Sequence, residues 1–197
     1  MSATLVMAYD LETTGLLNQS TNDPEQQPGI VEIGAVKYAI DENRPLQWFE
    51  DFQMLIDPEC LIEESAQKIT GIGPEMVAGK NNFFQAFPMF RDFCFGVRHL
   101  VTFNGEAYDN KVLQYQMIRY GVETKFPWPP IHHDVMKIGG DIAGLVGKQG
   151  NKYPKLSEMY NHCHGRDYDD HHRGLSDAKA TMGCWKWLID NNYVLGL

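Results

Sequence analysis

No two cysteines in this 197-residue chain are spaced as C-x-x-C: Cys60, Cys94, Cys163 and Cys184 are scattered. That argues against a zinc finger and against disulfides, and for reduced thiols in a core. Nor does any apolar run approach the roughly 20 residues that a membrane-spanning helix requires, and Met1-Ser2-Ala3-Thr4 lacks a charged stretch followed by a signal-like apolar one. A soluble, cytoplasmic protein with no membrane partner is expected. Positive charge is scarce, with 17 Lys and Arg against 26 Asp and Glu and a net charge of −9 at pH 7. Broad attraction to a polyanion is therefore disfavoured, while a small nucleic-acid site neutralised by metal is not. Repeats and low-complexity tracts are absent, and 43% hydrophobic content over this length suits one buried core, so a single domain over residues 1–197 is expected.

The charge that is present is unevenly spread. Residues 10 to 64 hold thirteen acids against only Lys37 and Arg44, whereas residues 137 to 155 hold four lysines and one acid, Asp141. The acidic half opens on Asp10-Leu11-Glu12-Thr13-Thr14-Gly15, which closes the apolar run Leu5 to Tyr9. Such a run reads as a central buried strand. Period-two alternation puts Asp10 and Glu12 on one face, where their charges converge, and a divalent cation relieves the repulsion. Hard oxygen ligands of this kind suit Mg²⁺ or Mn²⁺. A bare Asp-x-Glu is also what a capping Asp beside a surface Glu looks like, so the rest of the chain must decide.

The polar stretch Asn18 to Gly29, with Pro24 and Pro28, reads as a loop. Ile30 to Tyr38 and Trp48 to Ile56 alternate as strands around the turn Asp41-Glu42-Asn43, which with the first strand gives a three-strand antiparallel meander. Short helices are expected at Leu61 to Lys68 and Pro74 to Ala78. Phe83, Phe84, Phe87, Phe90 and Phe93 recur at helical spacing, so residues 82 to 95 read as an amphipathic helix with an aromatic core face. His99 to Phe103 reads as a fourth strand, Ala107 to Tyr120 as a helix with Val112, Leu113, Met117 and Ile118 inward, and Ile131 to Asp134 as a fifth strand. Helices are expected from Val135, over Leu156 to Cys163, and over Asp177 to Asp190 with Ala180, Cys184, Trp187 and Leu188 inward. The glycine- and lysine-rich stretch Gly139 to Pro154 reads as mobile. Strands first in a meander, then alternating with helices, describe an α/β fold with a mixed sheet.

Two further stretches carry acids to helix starts. Asn104-Gly105-Glu106-Ala107-Tyr108-Asp109 places Asp109 in the first turn after a strand, where the helix N-terminus favours a carboxylate. His172-Arg173-Gly174-Leu175-Ser176-Asp177 places another Asp at a helix start, five residues after a histidine. Each alone is readable as a cap.

Together and in this order, the three stretches resemble the DEDD family of 3′ to 5′ exonucleases, in the histidine-bearing subtype that includes proofreading exonucleases. The likeness continues through Ile30-Val31-Glu32-Ile33-Gly34-Ala35-Val36, Ile69-Thr70 and Met76-Val77. It implies a ribonuclease-H-like fold: a mixed five-stranded sheet, three strands antiparallel and then two parallel, flanked by helices. It also implies that Asp10, Glu12, Asp109 and Asp177 hold two Mg²⁺ or Mn²⁺ ions about 3.5–4 Å apart, and that His172 is the general base on the attacking water. The tyrosine subtype carries its tyrosine four residues before the last Asp, where this chain has Arg173; His171 stands one residue too far. Thr13, Thr14 and Leu16 would line the terminal-nucleotide pocket, and Asn104 would orient the second-motif loop. The implied substrate is the 3′ end of a single-stranded nucleic acid, DNA or RNA, released as nucleoside monophosphates.

The chain departs from the family at three points. Four residues separate Asn104 from Asp109 where three are usual in bacterial proofreading subunits, Asn18 to Gly29 is a long connection readable as a rim or a plain surface loop, and Gln67 stands where many relatives have a histidine. Lys148, Lys152 and Lys155 are candidates to grip the incoming strand, a solvated loop being the alternative. A different class of function is a non-catalytic nucleic-acid-binding module, since Gly71-Ile72-Gly73 resembles the turn of a helix-hairpin-helix motif. A zinc site drawn from His132-His133, His162-Cys163-His164 and His171-His172 is disfavoured by irregular spacing. No tail for a polymerase is evident after the last helix, so a freestanding enzyme is expected, and oligomeric state is not legible.

Overall fold

A computed structural model describes residues 3–41, 44–140, 142, 146–147, 150–151 and 153–194. Three long strands, β1 (Thr4–Thr13), β2 (Ile30–Asp41) and β3 (Arg44–Leu55), form an antiparallel meander. β4 (Val97–Thr102) pairs parallel with β1, and β5 (Ile131–Asp134) parallel with β4, giving the sheet order β3-β2-β1-β4-β5. This is the mixed sheet expected from the sequence. A short antiparallel pair, β6 (Val146–Gly147) and β7 (Gly150–Asn151), lies within the stretch read as mobile, part of which falls outside the described residues. The helices are α1 (Glu64–Thr70), α2 (Pro74–Val77), α3 (Phe83–Cys94), α4 (Asp109–Arg119), α5 (Val135–Gly139), α6 (Leu156–His164) and α7 (Gly174–Asp190).

β1 is apolar at every position from Val6 to Tyr9 because it is covered on both faces. Met7, Tyr9 and Leu11 pack into one cluster with Phe83, Phe87 and Phe90 of α3 and Val112 and Leu113 of α4. Val6 and Ala8 pack into the other, with Ala178, Met182 and Trp185 of α7. The same alternation continues into Asp10 and Glu12, so both carboxylates leave the strand on the α7 face.

Three inward assignments differ from the periodicity reading. Phe84 and Ile118 are exposed, and Trp187 is half-buried while Trp185 is fully buried. In each case a neighbour of the same class already fills the inward position: Phe83 in α3, Met117 in α4 and Trp185 in α7. α3 is closed at its start by a reciprocal cap, Gln85 N–H donating to Asn82 Oδ1 and Asn82 N–H to Gln85 Oε1, each at 3.1 Å.

α7 begins at Gly174, three residues before the expected Asp177. Its first residue lies directly on β2. A Cβ built on Gly34 would fall 1.9 Å from Gly174 C and Leu175 N, and one on Gly174 would fall 2.8 Å from Gly34 N and 3.1 Å from Asp10 O. Two glycines thus let helix and sheet backbones touch beside Asp10.

Candidate active site

That contact delivers Asp177, in the first turn of α7, to the carboxylates at the end of β1. Asp10, Glu12 and Asp177 each offer one oxygen, and the three atoms lie within 4.8 Å of one another. Glu12 and Asp177 are buried, while Asp10 is partly exposed. Asp109, the first residue of α4, is buried beside them and stands outside this close group; its Oδ1 accepts the Leu11 N–H at 3.1 Å. It is near enough to act on Asp10.

Burial raises the pKa of Asp10 well above the usual carboxylate range, and the charges of Asp109, Glu12, Asp177 and Glu32 push it further. Burial likewise pushes Glu12 up to about 8, with Asp177, Glu32 and Asp109 adding and Arg173 opposing. Asp109 is raised to about 7 by burial, against the pull of the Leu11 amide. Asp177 is raised by burial and drawn back by the Tyr168 hydroxyl, His172 and His171. Acids crowded in this way, with hard oxygens converging, are a donor set that fits Mg²⁺ or Mn²⁺. Among the described residues this is the group whose ligand atoms converge on one point. The rival histidines are occupied elsewhere: His132 with Thr102 at 2.7 Å, His133 with His99 at 3.0 Å, and His162 against the Trp187 ring.

His172 is exposed at the edge of the group in a left-handed conformation, φ 60°. Its neighbour His171 is held apart, pairing with Asp167 at 3.0 Å and stacking on Tyr168 at 4.2 Å. On the other side, Arg173 reaches back to Glu32, a carboxylate with no exposure, which also accepts the Gly174 N–H at 2.9 Å and Gln53 Nε2 at 3.0 Å.

A pocket of about 270 Å³ opens from Glu12 and Thr13 toward Leu16, Ala66, Ile69 and Tyr108. Leu16 is 83% exposed and free to press on a ligand. Thr13 Oγ1 lies 2.6 Å from the Tyr108 hydroxyl, which donates to Gly15 O at 2.8 Å. Thr14 borders the larger cavity beyond Leu16 rather than this pocket; its N–H donates to Gly29 O at 2.9 Å and its Oγ1 accepts the Gly29 N–H at 2.9 Å. Asn104 turns the second-motif loop with φ 63°, a conformation asparagine tolerates better than most residues. Its N–H donates to Asp134 Oδ1 at 2.9 Å.

The 18–29 stretch is tied to α4, with Arg119 donating to Gln27 O at 2.8 Å and Gln116 to Pro28 O at 3.0 Å, and it borders a second cavity of about 880 Å³ beyond Leu16. Gln67 turns back before the start of α1, donating through Nε2 to Ile62 O at 2.8 Å. Gly71 serves as the left-handed cap of α1, and a Cβ on Gly73 would meet the Glu75 carboxylate at 2.4 Å, which sets an acid where a helix-hairpin-helix turn would hold a phosphate. Lys155 is exposed at the start of α6, whereas Lys148 and Lys152 lie outside the described residues.

Four residues at the site escaped sequence reasoning. Glu32 was visible as a lone acid in an apolar strand, directly across from Glu12 in the β1–β2 register. Asp134 had the signature of an N-cap before α5. Tyr108 and Tyr168 carried no local signal; Tyr168 donates to Asp177 Oδ1 at 2.9 Å from nine residues upstream.

The family model described as Exonuclease, of RNase T type, matches residues 7–184. The PolC-type DNA polymerase III of Clostridium perfringens is 29% identical over 186 residues, which cover 92% of this chain and 11% of that protein. The chain thus spans about a tenth of the length of the curated relatives it matches. Among solved structures, exonuclease X in complex with 5′ overhanging duplex DNA superposes with a TM-score of 0.66 at 20% identity, covering 96% of this chain and 94% of the other. Escherichia coli exonuclease I in complex with a dT13 oligonucleotide gives 0.71 at 17% identity, covering 94% and 41%. Both have the same fold.

Proposed function

The chain belongs to the RNase T exonuclease family, and on that premise we propose that it hydrolyses single-stranded DNA from the 3′ end, releasing nucleoside monophosphates in a reaction that depends on two Mg²⁺ or Mn²⁺ ions. The observation that carries this reading is the convergence of Asp10, Glu12 and Asp177 within 4.8 Å. Divalent ions held there would activate a water and stabilise the leaving 3′ oxygen. The chain's own groups do the rest. Asp10, Glu12 and Asp177 hold the cations, and Asp109 completes the set from the start of α4. His172, exposed beside Asp177, takes the proton of the attacking water. The terminal nucleotide enters the pocket between Leu16 and Ile69, with Tyr108 and Thr13 against its sugar. Lys155, with Lys148 and Lys152, grips the backbone of the strand behind it.

DNA is favoured over RNA by the ligands of the two structural neighbours, a duplex with a 5′ overhang and a dT13 strand. The test is digestion of 3′-labelled and 5′-labelled DNA and RNA of one sequence, with Mg²⁺, with Mn²⁺ and with chelator, beside Asp10→Ala. Mononucleotides should leave the 3′ end of DNA only when metal is present. Asp10→Ala should reduce the rate by more than about 100-fold, beyond what loss of a supporting contact costs. Faster cleavage of RNA would reassign the substrate, and no cleavage of any strand would overturn the reading.

A further inference from the structure

We propose that Tyr168 is a positioning residue of the carboxylate cluster, its hydroxyl holding Asp177 by one oxygen so that the group meets an incoming cation in a fixed orientation. The inference rests on the metal-dependent reading above. Asp177 needs such a restraint. It contributes to a group in which three carboxylates share a space of 4.8 Å, and repulsion from Asp10 and Glu12 favours turning it away. The Tyr168 hydroxyl donates to Oδ1 at 2.9 Å and supplies a counterweight from the protein side. A hydrogen bond to an ionised acceptor is about twice as strong as one between neutral groups.

The hydroxyl is itself tightly placed. The Tyr168 ring lies parallel to the His171 ring, with centroids 4.2 Å apart and planes 3° from parallel, and it meets Tyr160 of α6 at 5.2 Å and 60°. Asp167 Oδ1 accepts the Tyr168 backbone N–H at 3.0 Å and pairs with His171 Nε2 at 3.0 Å. Asp167, Tyr168 and His171 therefore close a small ring of contacts between α6 and the start of α7. Packing alone would be met by phenylalanine. Among the described residues the hydrogen bond of this oxygen is to Asp177, so its removal separates positioning from packing.

The experiment measures Mn²⁺ binding directly, by titration calorimetry and by the spin-resonance signal of bound Mn²⁺, for the wild type, Tyr168→Phe, Asp177→Asn and the double variant, with Asp10→Ala as control. Tyr168→Phe should bind Mn²⁺ about 10-fold more weakly, the low end for loss of an outer partner of a metal ligand, while still folding cooperatively with a melting temperature lowered by no more than the several degrees that one lost hydrogen bond costs. In exonuclease assays the Mg²⁺ concentration for half-maximal rate should rise by a similar factor, while KM for DNA at saturating metal stays constant. On the Asp177→Asn background the hydroxyl should have no further effect on Mn²⁺ affinity. Equal or tighter Mn²⁺ binding by Tyr168→Phe, or additive losses in the double variant, would overturn the assignment. A wild type that binds no Mn²⁺, or no better than Asp10→Ala, would instead overturn the metal-dependent reading.

Discussion

At Glu32 four donors converge on one carboxylate that has no exposure: Arg173 Nη2 at 2.8 Å, Arg173 Nε at 3.2 Å, Gly174 N–H at 2.9 Å and Gln53 Nε2 at 3.0 Å. Three of those donors belong to the two residues that follow His172 immediately. His172 stands at φ 60°, a conformation that costs a non-glycine residue about 1–2 kcal/mol and persists only where its neighbours are fixed. Glu32 is what fixes them. Its truncation would leave the buried Gly174 N–H without a partner, while Arg173, partly exposed, and Gln53, exposed, could turn toward water. Glu32→Ala should therefore cost about 1–3 kcal/mol, the range for a buried donor left unsatisfied, read as a lower urea midpoint. It should also reduce kcat more than KM, because His172, the proposed general base, would lose its placement while the proposed nucleotide pocket keeps its own. A variant with normal kcat would show that the 172–174 turn is held by something else.

At the scale of elements, the site depends on how α7 is set against the sheet. Gly34→Ala tests this directly: its Cβ would lie 1.9 Å from backbone atoms of Gly174 and Leu175, which cannot swing aside as a side chain would. The start of α7 must move outward, taking Asp177 away from Asp10 and Glu12. A displacement of about 1 Å costs on the order of 100-fold in rate where catalytic groups must meet, so kcat should fall by about that factor and Mn²⁺ binding should weaken with it. Unchanged kinetics would mean that Asp177 is not placed by this contact. The same contact explains what the sequence could and could not tell. The β1 motif was legible because apolar alternation runs straight into Asp10 and Glu12, and the mixed sheet followed from a meander succeeded by strands alternating with helices. The start of α7 was not legible, since it is set by a glycine 140 positions earlier in the chain, and neither were the bonds that Glu32 accepts from Arg173 and Gly174 across a similar gap or the one that Tyr168 makes to Asp177 nine residues on, which no local pattern marks. Periodicity also placed Phe84, Ile118 and Trp187 inward where the structure does not, because adjacent apolar residues compete for one inward position and packing alone decides between them.

Over the whole molecule, acids outnumber bases and the net charge is −9, with the densest repulsion where Asp10, Glu12, Asp109 and Asp177 meet. The folded protein without cations must hold protons there that the unfolded chain releases. Glu12 is raised from 4.5 to about 8 and Asp109 from 3.8 to about 7, in both cases chiefly by burial. Between the unfolded and folded values the native state binds more protons, so stability is greatest toward the acid end of the window and is lost as pH rises from about 4 to 8. Cations that take the place of those protons reverse the trend. Without metal, the melting temperature should fall steadily from pH 5 to pH 8, and the increase produced by Mn²⁺ should grow over the same range. At pH 8 a hundredfold excess of Mn²⁺ over its Kd adds about 2.7 kcal/mol, or several degrees for a chain of this length. Asp10→Ala, which removes one of the repelling charges and one ligand, should flatten both slopes. Scanning calorimetry of the two proteins with chelator and with Mn²⁺ measures all four curves. A stability without metal that rises toward pH 8, or a Mn²⁺ increment independent of pH, would mean that the crowded carboxylates do not govern the stability of the fold.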